Sequence, residues 1–489
     1  MSHQDSRAPA QGIYPASDDV TAGWGTLAVV GLVQLMVVLD ATIVNIALPS
    51  AQADLGLSDG DRHWVITAYI LFFGGLLLLG GRIADRFGTR RVLFLGLAGF
   101  AVASVLGGAA PGGGALFAAR ALQGAFAALL APAALSLLST TYTEPRQRGI
   151  AFGAYGALSS GGAAVGLLAG GMLTEFLDWR WCLYVNVPIA VLALTGGAAA
   201  IPRTRPGADI GLDIPGAVLS CAGLAAIVLG FAQAESRGWG DQLVIALLVA
   251  GAALLVALAR VESTVRCPLL PPRILLHRAR GGAFLAVALS QVALFGFFLF
   301  ITYYMQAILG YSPVLAGLAF LPLTVATAIG ASVVGARLLP LSGPRPLIVA
   351  GLLLAAAGMA ALTQLQPDTQ NVYLVFLLPA QLAIGSGLGL VMMPAMSTAT
   401  ADIDAPEAGV ASAAVNAAQQ IGGALGTALL NTIAASVTVA ALASNTATDQ
   451  VSAQVQGYTT GIAFGAAVLA ATAVLCYLIL PTATTAPRK

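Results

Sequence analysis

Lysine is almost absent from this chain. Lys489 is the only lysine among 22 lysine and arginine residues. A phosphate-binding GxxxxGK[ST] loop needs a lysine inside the chain, and so does a Schiff-base nucleophile. Both kinds of site are therefore excluded, and energy for any pumping would come from an ion gradient or a separate subunit.

Metal ligands are scarce as well. The chain has four cysteines and three histidines, with no CxxC pair and no HExxH motif. We therefore predict no metal site, and we interpret the scattered cysteines as packing residues. We also predict that the protein is not an enzyme and has no resident cofactor.

Charge of either sign is rare. Only 9% of the residues are charged, whereas 58% are hydrophobic. Apolar runs of about 20 residues recur along nearly the whole chain, which is typical of membrane-spanning helices. The sequence predicts an all-α polytopic membrane protein with about 14 transmembrane helices, whose surroundings are a lipid bilayer. Nothing indicates a nucleic-acid partner.

The basic residues predict an orientation. If the N-terminus is cytoplasmic, 18 of the 22 basic residues lie in the cytoplasmic tails and loops. Only Arg62, Arg180 and Arg237 fall outside, and Arg120 lies within a span. Cytoplasmic loops carry the excess of arginine and lysine. We therefore predict an even number of spans and two cytoplasmic termini.

A weak internal repeat indicates two halves. A shift of 255 positions aligns four residues of one loop with four of another; these are Gly80, Arg82, Gly88 and Arg90 with Gly335, Arg337, Gly343 and Arg345. Repeats of this kind are typical of transporters that rock about a central site. We divide the chain into an N-terminal tail (1–23), a six-helix bundle (24–201), a two-helix insert with flanking cytoplasmic loops (202–280), a second six-helix bundle (281–480) and a C-terminal tail (481–489).

Seven segments carry a family resemblance; they are LDATIVNIALP (39–49), WVITAYIL (64–71), GRIADRFGTRR (81–91), RALQG (120–124), WRWCLYVNVP (179–188), YYMQAILGYSPVLAG (303–317) and NAAQQIGGALGTA (416–428). Together they resemble the major facilitator superfamily, and more narrowly its fourteen-span drug:proton antiporters. The resemblance implies a two-bundle architecture. It also implies export of antibiotics, dyes, antiseptics or metabolites in exchange for protons.

The charged loop 81–91 resembles the cytoplasmic gate of that family. Its gate residues would be Gly81, Asp85, Arg86, Gly88, Arg90 and Arg91. Asp85 could pair with one of the following arginines or cap a helix N-terminus. The alternative is topological: the arginines hold the loop inside and do nothing more.

The fifth span departs from the family pattern. It reads GAAVGLLAGG, with Leu167 where these exporters usually have proline. Its glycines still predict a close helix-packing ridge; they are Gly162, Gly166, Gly170 and Gly171. The missing proline affects the bend that we expect in this helix and its seal against proton leak. It does not affect the predicted fold.

Asp40 and Arg120 are the only ionisable side chains that the sequence places deep in spans. Counted at about 1.5 Å per residue, both lie about 22 Å from the cytoplasmic side. An ionisable residue in the bilayer is costly and usually functional. We interpret the two as a proton-coupling pair in which protonation of Asp40 releases Arg120. The alternative is a static pair that satisfies two costly groups.

Amide and aromatic side chains form faces on spans 1, 4, 9 and 13. Such faces are expensive in lipid, so we predict that they line a substrate cavity; the residues are Gln34, Thr42, Asn45, Gln123, Gln291, Phe295, Phe298, Thr302, Gln306, Asn416, Gln419 and Gln420. The alternative is hydrogen bonding between helices.

The sequence as a whole favours a monomeric, proton-coupled exporter of a small lipophilic molecule in a bacterial cytoplasmic membrane. One rival is a proton symporter that imports a nutrient with the same fold. A second rival is a membrane receptor or scaffold that transports nothing.

Overall fold

The structure is a computed structural model of the whole chain. It describes residues 18–142, 144–202, 213–265, 273, 276–367, 371–400, 405–444 and 449–481. Within these ranges every regular element is helical. Most of the predicted N-terminal tail and nearly all of the C-terminal tail lie outside the described residues.

Fourteen helical spans follow one another along the described chain, and we number them α1 to α14. The first half and the insert contain α1 Asp18–Leu55, α2 Trp64–Phe87, α3 Thr89–Gly108, α4 Gly113–Thr141, α5 Pro145–Phe176, α6 Trp181–Ala200, α7 Ile214–Arg237 and α8 Gln242–Thr264. The second half contains α9 Arg278–Ile308, α10 Pro313–Ser342, α11 Pro344–Leu362, α12 Tyr373–Thr400, α13 Ala405–Ala443 and α14 Gln450–Ile479.

Length and composition explain why these helices can cross a membrane. Thirteen of the described helices are long and apolar enough to do so, and this confirms the all-helical membrane fold. The remaining span, α5, is 32 residues long, and its apolar part Gly161–Phe176 is shorter than the others. Three spans contain a π-helical turn: Tyr304–Ile308 in α9, Gly330–Gly335 in α10 and Tyr373–Leu377 in α12.

The two loops that the repeat aligns turn in the same way. Gly88 separates α2 from α3 at a φ of 91°, and Gly343 separates α10 from α11 at a φ of 75°. Other residues rarely adopt a positive φ, which is why glycine is needed at both positions. The helix ends therefore repeat with the sequence.

Each half packs mainly on itself. In the first half α2 packs on α4, and α1 packs on α5 and α6; in the second, α11 packs on α12 and α14, and α9 packs on α13 and α14. The insert helix α7 lies against α2 and α13, one from each half. Its Phe231 carbonyl accepts a 3.0 Å hydrogen bond from Thr432 of α13.

Candidate functional site

A buried ion pair joins α1 to α4. The Arg120 Nη1 donates to Asp40 Oδ2 at 2.7 Å, and the two side chains are 1% and 0% exposed. Removing two charges from water costs several kcal/mol per ion in real proteins, so both groups need further partners. The structure thus brings together the two residues that the sequence places at one depth.

Two amides complete the shell of the carboxylate. Asn186 of α6 donates to Asp40 Oδ1 at 2.8 Å, and Gln123 of α4 donates to the same oxygen at 3.2 Å. Gln123 also donates to Ser104 at 2.8 Å and accepts from Arg120 at 2.8 Å. The amide of Gln123 is fully used in this network and the residue is 0% exposed. In this structure Gln123 belongs to the Asp40 network, and its place in the cavity wall stays a prediction.

Arg120 is held on its other side by α2. Its Nε donates to the Val65 carbonyl at 2.9 Å, and its guanidinium carbon lies 4.4 Å from the centroid of the Tyr69 ring. A cation over an aromatic face is attracted to the π electrons. Arg120 therefore keeps partners on α2 even if Asp40 loses its charge.

The gate loop contains one electrostatic interaction that the sequence did not suggest. Asp85 is exposed in the last turn of α2, and the positive charge of Arg82 acts on it. Arg90 donates to the Ala198 carbonyl of α6 at 3.1 Å and lies over Phe94. Arg86 lies 5.6 Å from the ring of Phe87.

The two loop glycines have different surroundings. Gly88 has the positive φ already described, while a Cβ on Gly81 would lie 3.6 Å from Pro132, in ordinary contact. Arg91 is exposed. The gating role of this loop stays a prediction.

The small residues of α5 pack against two other helices. A side chain on Gly166 would overlap Thr42 of α1, and one on Gly170 would lie 2.8 Å from the Ile43 carbonyl. A Cβ on Gly162 would lie 3.3 Å from the Leu35 side chain. The glycines thus form the α1–α5 contact. Thr42 packs against Gly166 in this contact, and its hydroxyl donates to carbonyls of its own helix.

On the opposite side, α5 meets α10 of the second half. A Cβ on Gly171 would lie 2.6 Å from the Pro313 carbonyl, and the Leu167 carbonyl lies against Gly317. Leu167 itself is 0% exposed. Leu167 is thus buried in α5, and its backbone lies at the α5–α10 contact.

The predicted cavity residues separate into two groups. Asn45, Gln291 and Thr302 are buried, whereas eight are half-buried; these are Gln34, Thr42, Phe295, Phe298, Gln306, Asn416, Gln419 and Gln420. The Oδ1 of Asn45 and the Oγ1 of Thr302 have no hydrogen-bond partner among the described residues.

Some of the half-buried residues meet across the two halves. Phe295 lies beside Gly423 of α13, which also approaches Ile70 of α2. A Cβ on Gly74 of α2 would lie 2.7 Å from the Cβ of Gln420. These contacts place part of the predicted polar faces where α2, α9 and α13 converge.

Other cavity residues bond to neighbouring helices. Gln419 donates to the Met392 sulfur at 3.5 Å, and Gln306 donates to the Ile46 carbonyl of α1 at 3.0 Å. Phe298 lies 5.2 Å from the ring of Phe320. Lining of a cavity by these residues stays a prediction.

Sequence reasoning missed Asn186, Ser104 and Tyr69, which lie on α6, α3 and α2. Asn186 lies within the motif WRWCLYVNVP, so the polar residue in an apolar span was the available signal.

No group of three or more histidine, cysteine or acidic residues that could hold a metal occurs in the described part of the chain.

Comparison with known proteins identifies the relatives of this fold. The model of the Major Facilitator Superfamily matches residues 30–427. A crystal structure of a bacterial homologue of the human lysosomal transporter Spinster, inward-facing and unoccupied, superimposes with a TM-score of 0.64. The two sequences are 16% identical, and the match covers 95% of this chain and 98% of the other.

Several of the sequence relatives are named as resistance or export proteins. The puromycin resistance protein pur8 of Streptomyces alboniger is 62% identical over 86% of this chain and 83% of its own length. The cephamycin export protein CmcT of Amycolatopsis lactamdurans is 41% identical over 80% of each chain. The tetracenomycin C resistance and export protein of Streptomyces glaucescens is 33% identical over 84% of this chain and 76% of its own length.

Proposed function

Because this chain belongs to the Major Facilitator Superfamily, we propose that it exports an antibiotic or another lipophilic metabolite in exchange for protons. Two of the relatives are named for export and two for resistance, which supports this direction. Puromycin is the first compound to test, because the protein named for it is 62% identical. We place the protein as a monomer without a resident cofactor in a bacterial cytoplasmic membrane, with both termini in the cytoplasm.

The single observation that carries proton coupling is the shell of Asp40. A carboxylate buried from solvent accepts hydrogen bonds from Arg120, Asn186 and Gln123. Such a group has two stable forms in a membrane, an ionised form that needs all three donors and a protonated form that needs few of them. An exchange cycle can use that difference.

Protonation would not free every helix equally. When Asp40 becomes neutral, its attraction for Arg120 of α4 and for Asn186 of α6 weakens. Arg120 keeps the Val65 carbonyl and the Tyr69 ring, so α4 stays bound to α2. We therefore propose that the proton changes how α1 and α6 pack against an α2–α4 pair that moves as one unit.

Proteoliposomes with a pH-sensitive dye in the lumen test this proposal. We expect puromycin added outside to enter while protons leave, so that the lumen becomes alkaline. Asp40→Asn should lose this signal. Asp54→Asn is the matched control, because Asp54 also lies on α1 but pairs at the surface with Arg180.

Each rival function gives a different result. Acidification of the lumen would show a proton symporter. Puromycin binding without any pH change would indicate a receptor or scaffold. An unchanged signal in Asp40→Asn would place proton coupling elsewhere in the molecule.

A further inference from the structure

Arg62 is buried where an exposed residue is expected. It lies in the loop between α1 and α2, at the end of the molecule that the arginine distribution predicts to be external, and we call this end the predicted outer end. Its side chain is nevertheless only 4% exposed. A buried arginine is rare unless it is paired, so its partners must offset the lost hydration.

Most of these partners belong to the other half of the protein. The Arg62 Nε donates to Asn431 Oδ1 of α13 at 3.3 Å. Its guanidinium carbon lies 3.9 Å from the Tyr303 ring of α9 and 5.6 Å from the Tyr458 ring of α14. One side chain of the first half thus contacts three helices of the second.

The loop around Arg62 is tied to the same place. Asn431 Nδ2 donates to the Asp59 carbonyl at 3.1 Å, and Asp59 Oδ1 accepts from Arg62 at 3.2 Å. Tyr303 also donates to Gln52 near the end of α1. We call Arg62, Asp59, Asn431, Tyr303 and Tyr458 the latch.

Other contacts at this end would separate together with the latch. The hydroxyls of Thr67 and Thr427 lie 2.7 Å apart, between α2 and α13. The amide of Val314 in α10 donates to Glu175 of α5 at 3.0 Å. All of these contacts join the two halves, so a rigid-body opening at this end breaks them in one step.

We propose that Arg62 latches the two halves together at the predicted outer end and holds the transporter in the state that is closed there. The contact is state-specific, because opening removes Asn431 and the two rings from Arg62 at once. It is also reversible. Asp59 is 48% exposed and stays beside Arg62 in its own loop, so the guanidinium keeps an anionic partner when water enters.

The latch depends on the two-bundle fold and not on proton-coupled export. A distance measurement without substrate or pH gradient therefore tests it separately. Spin labels are placed at Ala53 of α1 and Ala443 of α13, both exposed near this end, in a background without the native cysteines. Double electron–electron resonance then reports the separation of the halves.

We expect Arg62→Ala to raise the population with a long Ala53–Ala443 distance at least several-fold over the unsubstituted protein. Arg62→Lys should give an intermediate shift, because it keeps a charge over Tyr303 but loses the planar fork. Asn431→Leu should reproduce the shift with Arg62 intact. This second variant tests the latch even if Arg62→Ala does not fold.

Arg180→Ala is the matched control. Arg180 is also an arginine at the predicted outer end, with an acidic partner in Asp54 and an aromatic neighbour in Trp179. These partners all lie in the first half, so its removal should leave the distances unchanged. Equal distance distributions in Arg62→Ala, Asn431→Leu and the parent protein would overturn the proposal, and so would an equal shift in Arg180→Ala.

Discussion

Two buried arginines in this protein have similar neighbours, but the neighbours belong to one half of the protein for Arg120 and to both halves for Arg62. Arg120 and Arg62 are 1% and 3% exposed, and each has an aspartate and a tyrosine ring as neighbours. The described partners of Arg120 all lie in the first half, whereas those of Arg62 lie in both. Burying a charge is costly in both places. In our two proposals, the contacts around Arg120 change when Asp40 is protonated, whereas those around Arg62 change when the halves move.

The largest expected effect comes from breaking the cluster inside the first half. Arg120→Ala leaves Asp40 buried without its cation, and losing one partner of a buried pair costs about 3–5 kcal/mol. We expect proton-driven export to fall to background in the proteoliposome assay. Arg120→Lys should recover part of it. Export by Arg120→Ala at the level of the parent protein would contradict the assignment of proton coupling to this cluster.

The next effect concerns the residue beside the latch. Burial lowers the pKa of His63 to about 4, and Arg62 adds to this shift, while the Gly60 carbonyl and Asp61 oppose it. The unfolded chain then binds more protons than the folded one between pH 6.5 and 4. The free energy of unfolding should therefore keep its full value above pH 6.5. It should fall as the pH decreases, by about 2 kcal/mol at pH 5.

Thermal unfolding in detergent at pH 7.5 and pH 5 measures this effect. His63→Gln should reduce the difference between the two melting temperatures, because glutamine does not take up a proton between pH 7.5 and pH 5. His277→Gln is the control, since His277 is exposed. Equal pH dependence in the parent protein and His63→Gln would contradict the burial argument.

A smaller effect should come from one donor to Asp40. Asn186→Ala removes a 2.8 Å hydrogen bond but leaves the ion pair. The ionised carboxylate then keeps only Arg120 and Gln123 as donors, so the rate of proton-coupled exchange should fall several-fold and stay above that of Asp40→Asn. Thr195→Ala on the same helix, where Thr195 is exposed and bonds to its own helix, should leave the rate unchanged. An exchange rate in Asn186→Ala equal to that of the parent protein would be inconsistent with the donor role.

The smallest expected effect tests whether the two clusters are independent. Their side chains share no side-chain partner among the contacts described. The Val65 backbone is the one described link, because its carbonyl accepts from Arg120 at 2.9 Å and its N–H donates to the Arg62 carbonyl at 3.3 Å. If this link carries little coupling, the effects of the two clusters on the Ala53–Ala443 distance populations should add within about 0.5 kcal/mol. The measurement compares Arg62→Ala, Arg120→Ala and the double variant with the parent protein. A larger interaction free energy would show that the proton site and the latch act as one unit.

The sequence predicted the parts of this structure that have a local or one-dimensional signal. Runs of apolar residues predict the spans because each must match the thickness of the bilayer. The partnership of Asp40 and Arg120 follows from counting residues along two helices at a fixed rise. Gly88 and Gly343 are explained by turns that only glycine adopts readily.

Long-range packing accounts for what the sequence did not predict. Arg62 counts as a loop residue by position, yet its partner Asn431 lies 369 positions away. Gln123 belongs by its amide to a polar face, but the structure uses that amide on Asp40. Helical phase could not distinguish these environments, because a cavity wall and a buried network select the same side chains.

The insert helix α7 has a consequence for molecules dissolved in the lipid. It lies over the boundary between α2 and α13, where Cys221 fits against Gly75 and Phe231 bonds to Thr432. Among the described residues, the insert makes no comparable contact with α5 or α10, the helices of the other boundary, and Met172 and Val325 are exposed on these two helices. A lipophilic compound that arrives sideways from the bilayer would thus meet one lateral boundary shielded by an extra helix and another with exposed apolar side chains.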